Sequence, residues 1–320
     1  MRPLALQQLL ESVAEQTVYP DQILIIDGSL DKRTGSIVKD SALKNVEYHL
    51  VEAVNRGLTK QRNYGIKQLD SAAAIVCFLD DDTVLTSTYF FEILQTFQNN
   101  ESYVGVGGVA INENNWRPKE QGVQYNKYRF YDWDGYVYPE GLRNVVRNIL
   151  GLASNLGPSR MPLFSHGRTC GFPLVDKTYE VDLLIGMSMA FRTKIFKEIQ
   201  FSNYFEGYGL YEDADFSLRA LQFGKNSINT KAKLYHNHAP SGRPNQYQYG
   251  KMVVRNGWYV WRTHNSQPSL RDTFKWHAIT LVLLFIRFAN TFTTKQRKAA
   301  FTEALGRLVG WWSLLVSKPK

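Results

Sequence analysis

The fold is decided by residues 73–82, which read Ala-Ala-Ile-Val-Cys-Phe-Leu-Asp-Asp-Asp. The apolar part is too short to cross a membrane and is bounded like an interior strand, so it predicts a buried β-strand that ends at Asp80, Asp81 and Asp82. Three adjacent carboxylates repel one another at low effective dielectric, and such a cluster usually needs a cation. Oxygen ligands suit Mg²⁺ or Mn²⁺ and hence a phosphate-bearing substrate, whereas a solvated acidic loop is the alternative.

Helices and strands alternate on the amino-terminal side of this stretch. An amphipathic helix over 6–13 precedes the apolar strand 22–26, which stops at Asp27. A short strand near Val46 and a helix over 58–69 follow. The alternation predicts an α/β fold with a doubly wound, mostly parallel sheet flanked by helices. In such sheets ligands bind beyond the carboxyl ends of the strands, which is where Asp27 and the aspartate triplet fall.

The stretch from 104 to 177 divides into two parts. The strand predicted at 104–109 contains three glycines, which indicate that another backbone or a ligand approaches it closely. Residues 112–177 are rich in aromatic, Asn, Gly and Pro residues and have little periodicity. We expect long loops and short helices there, which is typical of segments that form specificity pockets.

A second acidic cluster begins a predicted helix. Glu212, Asp213 and Asp215 fall in its first turn, and the apolar spacing that follows is helical up to Gly224. The helix dipole stabilises acidic residues in a first turn, so capping alone accounts for them. The alternative is that one of these carboxylates is a general base that takes a proton from an incoming hydroxyl.

Two histidines lie in a segment that alternates like a strand. His236 and His238 would point to one face. A neutral imidazole can complete the coordination of an ion already held by carboxylates, although a lone histidine is more often structural or solvated.

Charge is distributed unevenly along the 320 residues, whose net charge is +9. Residues 251–320 carry twelve basic and two acidic side chains, so they account for the whole excess, and the near-neutral remainder argues against nucleic-acid binding. The same tail holds five tryptophans and the apolar run 278–286, a mixture typical of a helical segment in an anionic membrane interface. The run is too short to span a bilayer, and the alternative is a helical extension packed on the protein's own surface.

The cysteines and the first residues bear on location. Cys77 and Cys170 are far apart and lack metal-site spacing, which favours neither a disulfide framework nor a zinc site. The first residues lead into an amphipathic segment rather than the apolar region of a signal peptide. We therefore expect a cytoplasmic protein, with the tail peripheral at the inner face of the membrane.

In their order along residues 3–244, these motifs resemble the family 2 glycosyltransferases, which are inverting nucleotide-sugar enzymes with the GT-A fold. The resemblance is carried by the strand ending at Asp27, the helix containing Arg62, the aspartate triplet, the strand 186–192, the helix that begins at Glu212, and His236. It implies that Asp27 meets the nucleobase, that the helix of Arg62 faces the nucleotide, and that Asp80 and Asp81 belong to the donor site. It also implies a metal site of Asp80, Asp82 and His236, with Asp213 as the base and Glu212 beside it.

The activity implied by the resemblance is the transfer of a sugar from a nucleoside-diphosphate donor to a hydroxyl of a glycan or lipid-linked glycan, assisted by Mg²⁺ or Mn²⁺. Residues 1–111 would bind the donor and 112–250 the acceptor, with 251–320 as the tail. The strand that usually begins the family is expected to be missing, because Met1 falls just after its position.

Two other functions remain open at this point. One is a nucleotide-sugar-binding protein that no longer turns over. The other is a phosphatase, because residues 80–85 also resemble the nucleophile loop of haloacid-dehalogenase-type phosphatases. Phosphate release without a sugar acceptor would identify the phosphatase. The donor base and sugar, the acceptor, the linkage and the oligomeric state do not follow from these motifs.

Overall fold

A computed structural model describes residues 2–41, 43–238 and 244–319. The helices are α1 (Pro3–Ala14), α2 (Arg33–Asp40), α3 (Leu58–Ile66), α4 (Tyr89–Asn99), α5 (Leu142–Ile149), α6 (Glu212–Ala220), α7 (Gln246–His264), α8 (Leu270–Thr293) and α9 (Arg297–Val316). The strands are β1 (Ile23–Asp27), β2 (Val46–Leu50), β3 (Ile75–Leu79), β4 (Thr83–Leu85), β5 (Tyr103–Ala110), β6 (Arg117–Pro118), β7 (Phe130–Trp133), β8 (Tyr136–Pro139), β9 (Thr178–Val181), β10 (Ser188–Arg192) and β11 (Lys225–His236). The predicted α/β class is confirmed.

The chain forms two compact units. Unit 1 comprises residues 1–114 and 174–243, and unit 2 comprises residues 115–173 and 244–320. Each unit is therefore built from two separate stretches of chain. This is a division by packing, whereas the division at 111 and 250 expected above concerns function.

The main sheet of unit 1 has the strand order β3-β10-β5-β11-β4, and β9 pairs with β11. Strand β11 is parallel to β5, but β10 is antiparallel to both β3 and β5, and β4 and β9 are antiparallel to β11. The sheet is thus mixed, where the alternation of elements predicted mostly parallel strands. Only parallel neighbours need a crossover connection. After β5 the chain runs through unit 2 and re-enters the sheet at β9 and β10, which run antiparallel to their neighbours.

Strands β1 and β2 form a separate parallel pair in unit 1. Its register places Asp27 opposite Leu50 at the carboxyl ends. Strand β3 likewise ends immediately before Asp80. The predicted strands that end at Asp27 and at the triplet are therefore both present.

The close approach predicted at the glycine-rich strand is a packing contact. In β5, a Cβ on Gly108 would lie 2.4 Å from the backbone oxygen of Ala232, and one on Gly107 would lie 2.9 Å from that of Ser188. Such distances exclude a side chain without a shift of backbone. The glycines thus let β5 lie centrally in the sheet, where Val106 is fully buried.

Unit 2 combines a small sheet with helices. The antiparallel order is β6-β8-β7, within the segment for which long loops and short helices were expected. Helices α7 and α9 pack closely because glycines face the partner backbone: a Cβ on Gly250 would lie 2.2 Å from the oxygen of Glu303. The core of the helices contains Val254, Trp258, Trp261, Trp276 and Leu314, with Trp311 packed against it.

This core changes the interpretation of the tryptophan-rich tail. Trp258, Trp261 and Trp276 are buried, whereas Trp312 is 63% exposed. Most of the tail tryptophans therefore stabilise unit 2 rather than face a membrane. The apolar run 278–286 belongs to α8, a helix of 24 residues that is long and apolar enough to cross a membrane by length and composition. The run is thus only the middle part of a longer helix, which continues beyond it on both sides.

Candidate active site

The three aspartates after β3 have different environments in unit 1. Asp82 is 4% exposed, while Asp80 and Asp81 are about one-third exposed. The guanidinium of Arg2 pairs with both Asp81 and Asp82, at 2.7 Å for Nη1 and Asp82 Oδ2. Burial raises the pKa of Asp80 and of Asp81, and the neighbouring carboxylates raise them further. The expected accumulation of negative charge is thus present, and Arg2 offsets part of it.

His236, at the end of β11, lies beside Asp82. Its Nε2 is 3.6 Å from Asp82 Oδ1, and its Nδ1 is 2.7 Å from Oε1 of Glu113. The strand end is fixed by Asn112, which accepts a hydrogen bond from the His236 backbone N–H at 3.0 Å and donates one to its carbonyl at 2.8 Å. Burial lowers the pKa of His236, but Asp82 and Glu113 outweigh this effect and raise it to about 9.

Asp80, Asp82 and His236 could hold a metal ion. Each offers one ligand atom, and these atoms lie within 4.8 Å of one another. Two carboxylates and an imidazole are a donor set suited to a divalent cation such as Mn²⁺. Glu113, His236 and His238 form a second group that meets the same distance criterion but is more exposed. The sequence-based metal ligands therefore fit a cation by proximity and donor chemistry.

Arg62, on α3, connects the aspartate triplet with the second acidic cluster. Its Nη1 donates to Oε1 of Glu212, and its Nη2 lies 3.6 Å from Oδ1 of Asp80. The guanidinium is buried, and the rings of Phe78 and Phe201 lie 5.9 and 5.2 Å from it. An arginine enclosed by two rings has little freedom to move, so both acidic groups are held in one site.

Glu212 is enclosed, whereas Asp213 is partly exposed. Burial and the charge of Asp213 raise the pKa of Glu212 to about 8, although Arg62 acts in the opposite direction. Asp213 accepts backbone hydrogen bonds at 2.9 Å from Gly186 and at 2.8 Å from Ala214. Burial raises the pKa of Asp213, and these backbone donors lower it. Glu212 is thus held by an arginine side chain, whereas Asp213 is held by backbone N–H groups.

The third acid of this helix has a structural contact. Asp215 is fully buried, and Nε and Nη2 of Arg219 donate to its Oδ2 at 3.0 and 2.6 Å. The three acids of this first turn therefore have different contacts. Asp215 stabilises the helix through an ion pair, while Glu212 and Asp213 face Arg62 and Gly186.

Gly186 permits the close packing around Arg62. A Cβ at this position would lie 3.3 Å from both Arg62 Nη2 and Glu212 Oε1, and 3.6 Å from Asp213 Oδ2. Any larger residue would have to displace a charged group by several tenths of an ångström. The glycine therefore positions the site without contributing a functional group.

Asp27 lies at the end of β1, in the separate two-stranded sheet. Its Oδ1 accepts a hydrogen bond from the Ser29 backbone N–H at 2.8 Å, and its Oδ2 accepts one from the Tyr48 hydroxyl at 2.9 Å. Burial and the contact with Asp27 raise the pKa of Tyr48 to about 12. Gln61 joins this strand to α3 by donating to the carbonyl of Ile26 at 2.8 Å.

Most of the residues singled out in the sequence lie close together, but two charged neighbours were not predicted. Asp80, Asp82, His236, Arg62, Glu212 and Asp213 form one continuous set of contacts, which we call the acidic site, while Asp27 has other partners. Arg2 and Glu113 were not predicted. No local sequence pattern marks Arg2 as a site residue. Glu113 could have been suspected, because it is an acidic residue that closely follows the glycine-rich strand β5.

Comparison with known proteins supports the predicted resemblance. Residues 2–151, just under half of the chain, match the sequence profile of Glycosyl transferase family 2. The resemblance is thus confirmed over these residues. The glycosyltransferase assignment thus rests on the amino-terminal half of the chain, which includes Arg62 and the aspartate triplet.

Individual relatives are distant. The uncharacterized glycosyltransferase EpsJ of Bacillus subtilis is 25% identical over 103 residues, which are 32% of this chain and 29% of EpsJ, so the chain spans less than a third of that relative. Mannosyltransferase PcManGT from Pyrobaculum calidifontis, solved with GDP-Man and Mn²⁺, has a TM-score of 0.52 at 12% identity, over 98% of this chain and 84% of PcManGT. This likeness confirms the GT-A fold. S. aureus TarS has a TM-score of 0.45 at 16% identity, over 92% of this chain and 43% of TarS.

Proposed function

We propose that this glycosyltransferase transfers a sugar, with inversion, from a nucleoside-diphosphate donor to a hydroxyl of a glycan or lipid-linked glycan. The observation that carries the proposal is the position of Arg62, which contacts both the metal-binding candidate Asp80 and Glu212, the neighbour of Asp213 on α6. A metal-assisted displacement needs a cation site for the leaving diphosphate and a carboxylate for the attacking hydroxyl. The acidic site provides residues for both.

Residues 1–111 form the donor-binding half in this proposal, and residues 112–250 form the acceptor-binding half. Asp27 takes the nucleobase, while Arg62, Asp80 and Asp81 face the rest of the nucleotide. Asp80, Asp82 and His236 are the residues that would hold Mg²⁺ or Mn²⁺. When bound, the cation supplies Lewis-acid stabilisation of the diphosphate charge that develops as the bond breaks.

Asp213 is the proposed general base. The acceptor oxygen forms the new bond to the anomeric carbon, the bond to the diphosphate oxygen breaks with its electron pair, and the hydroxyl proton passes to Asp213. Asp213 is partly exposed, and its two backbone donors orient the carboxylate. Glu212 is less suited to this role for two reasons. Its carboxylate already accepts a hydrogen bond from Arg62, and burial raises its pKa to about 8.

Replacing the base tests this assignment. Asp213→Asn should retain donor binding but lower kcat by about 10²- to 10⁴-fold, the usual contribution of a general base. Donor consumption and product are measured with a panel of nucleotide sugars and acceptors, and donor binding is measured separately by calorimetry. Asp176→Asn is the matched control, since this acid is exposed and pairs with Lys233.

Unchanged turnover in Asp213→Asn would contradict the assignment. The same assays separate the other functions. Donor binding by the unmodified protein without hydrolysis or transfer would indicate a binding protein. Phosphate release from simple esters, with no acceptor present, would indicate a phosphatase.

We further propose that the protein is cytoplasmic and peripheral at an anionic membrane surface through the hairpin of α8 and α9. On α9, large apolar side chains recur on one exposed helical face, namely Phe301, Leu305, Leu308, Trp312 and Leu315. Helix α8 has a similar exposed face with Phe274, Phe285, Phe288 and Phe292. The rings of Phe288 and Phe301 lie 6.3 Å apart, so the two faces meet.

Basic residues flank this apolar surface at both ends of the hairpin. Lys295 lies in the connection between the helices, and Arg297 and Lys298 begin α9. The opposite end carries basic residues near the start of α8 and the end of α9, and Trp311 donates to His277 there at 3.0 Å. An apolar stripe with cations at its ends suits a helix that lies in the plane of an anionic interface.

Removing aromatic side chains from the hairpin tests the membrane proposal. Phe285 and Trp312 are 64% and 63% exposed, so Phe285→Ser with Trp312→Ser should leave the fold intact. Binding to phosphatidylglycerol vesicles should weaken roughly 100-fold, because each side chain contributes about 1.5 kcal/mol or more when buried in lipid. Phe91→Ser in α4, another exposed aromatic, is the control and should bind normally. Equal binding by the double variant would refute the proposal.

A further inference from the structure

Unit 2 contains a cavity of about 410 Å³ lined by side chains of α5, α7, α8 and α9. We call it the arginine pocket, because Arg143, Arg287 and Arg307 line it together with a single acid, Glu303. Leucine and isoleucine side chains form another part of the wall. The pocket thus combines excess positive charge with an apolar wall.

The contacts of Glu303 show that its charge is already shared. Its Oε1 accepts from Nε of Arg307 at 2.9 Å, and its Oε2 lies 2.7 Å from Nε of Arg287. Glu303 and Arg307 are both more than nine-tenths buried. Arginine side chains stay protonated, so the single negative charge of Glu303 balances only one of the two positive charges.

Arg143 adds a further positive charge. It lies on α5, is exposed, and makes no ion pair within the part of the chain that the structure describes. The three arginines and Glu303 together carry a net charge of +2. Guanidinium groups bind phosphate with paired N–H donors, and a phosphate can carry the two negative charges that would balance this excess.

We propose that the arginine pocket binds the phosphate group of a membrane lipid. A lipid satisfies both parts of the wall, because its phosphate meets the arginines while its chain passes the apolar residues. Leu283 and Ile286 line the pocket from the side of α8 that is opposite to its exposed phenylalanines, so the phenylalanines would face the lipid chains while the pocket lies on the headgroup side. This inference rests on the proposed membrane position of the hairpin, but it does not depend on glycosyl transfer.

The experiment compares two kinds of vesicle with matched surface charge, one containing phosphatidic acid and the other phosphatidylglycerol. A phosphomonoester offers more oxygens and charge to the arginines than a phosphodiester does. We expect the unmodified protein to bind phosphatidic acid vesicles about tenfold more tightly, as one or two charge-assisted hydrogen bonds would give. Arg143→Gln should abolish this preference. Arg287→Gln, which leaves Arg307 on Glu303, should reduce it as well.

Arg271→Gln is the matched control, because Arg271 lies at the start of α8 and is not among the residues that line the pocket. It should weaken binding to both vesicles equally and keep the preference. Unfolding temperatures of all variants are compared to show that they fold.

Two results would overturn the proposal: no preference in the unmodified protein, or an unchanged preference in Arg143→Gln. Binding of inorganic pyrophosphate that depends on Arg143, without any vesicle preference, would assign the pocket to a soluble phosphate and overturn the lipid. Failure to bind either vesicle would instead show that the proposed membrane position is wrong. The Asp213→Asn assay remains independent of all these outcomes.

Discussion

In unit 1 an arginine lies between carboxylates, whereas in unit 2 a carboxylate lies between arginines. Arg62 contacts Glu212 and Asp80, and Glu303 contacts Arg287 and Arg307. The cluster in unit 1 therefore has an excess of negative charge, and the cluster in unit 2 has an excess of positive charge. An excess of buried charge needs a counter-charge, so the acidic site suits a cation and the arginine pocket suits an anion.

The largest effect should come from removing the central group of each cluster. Glu303→Gln leaves two arginines together, and because arginine cannot lose its proton we expect the free energy of unfolding to fall by about 3 kcal/mol or more. Arg62→Gln should cost less at pH 6, because Glu212, whose pKa is about 8, already holds a proton there and leaves no unpaired charge. Urea unfolding of both variants measures the difference.

The seven tryptophans all lie in unit 2, so tryptophan fluorescence follows the unfolding of that unit, while circular dichroism follows both. If Arg62→Gln is as destabilising as Glu303→Gln at pH 6, the proposed difference between the clusters is wrong. Arg33→Gln is a control for the charge change, since Arg33 is exposed and pairs only locally with Asp31.

A smaller effect should appear in the pH dependence of stability. Because the pKa of Glu212 is raised from 4.5 to about 8, the folded protein keeps a proton that the unfolded chain releases between these values. The free energy of unfolding should therefore fall by about 2 kcal/mol relative to Glu212→Gln as pH rises from about 5.5 to 7, since one proton corresponds to about 1.4 kcal/mol per pH unit. Glu198→Gln, at an exposed position, should follow the unmodified protein. Parallel pH profiles for the unmodified protein and Glu212→Gln would contradict the role of burial.

The two clusters could be predicted from the sequence only where their residues are close together along the chain. Asp80 to Asp82 and the start of α6 were predictable because strand ends and first helical turns are local patterns. The antiparallel entry of β10 was not, because it depends on pairing with β3 across about a hundred residues of chain. Arg2 was missed for the same reason, and the arginine pocket was missed because α5 and α8 are distant in sequence.

The smallest effect concerns Arg2, which pairs with Asp81 and Asp82. A guanidinium at these carboxylates competes with a bound cation. Arg2→Gln should therefore strengthen Mn²⁺ binding in the absence of nucleotide by about fivefold, equivalent to about 1 kcal/mol for a partly exposed ion pair. Calorimetric titration with Mn²⁺ measures the change. Weaker binding in the variant would show that Arg2 supports the site rather than competes for it.

The central claim is that the acidic site binds a nucleotide sugar together with a divalent cation. The most direct test is the shift in unfolding temperature with UDP, dTDP, GDP and their sugars, with and without Mn²⁺, for the unmodified protein and Asp82→Asn. A ligand at 100 times its dissociation constant adds about 2.7 kcal/mol to the stability. We predict a clear shift for one nucleotide that requires both Mn²⁺ and Asp82. No shift with any nucleotide, or an equal shift in Asp82→Asn, would contradict the claim.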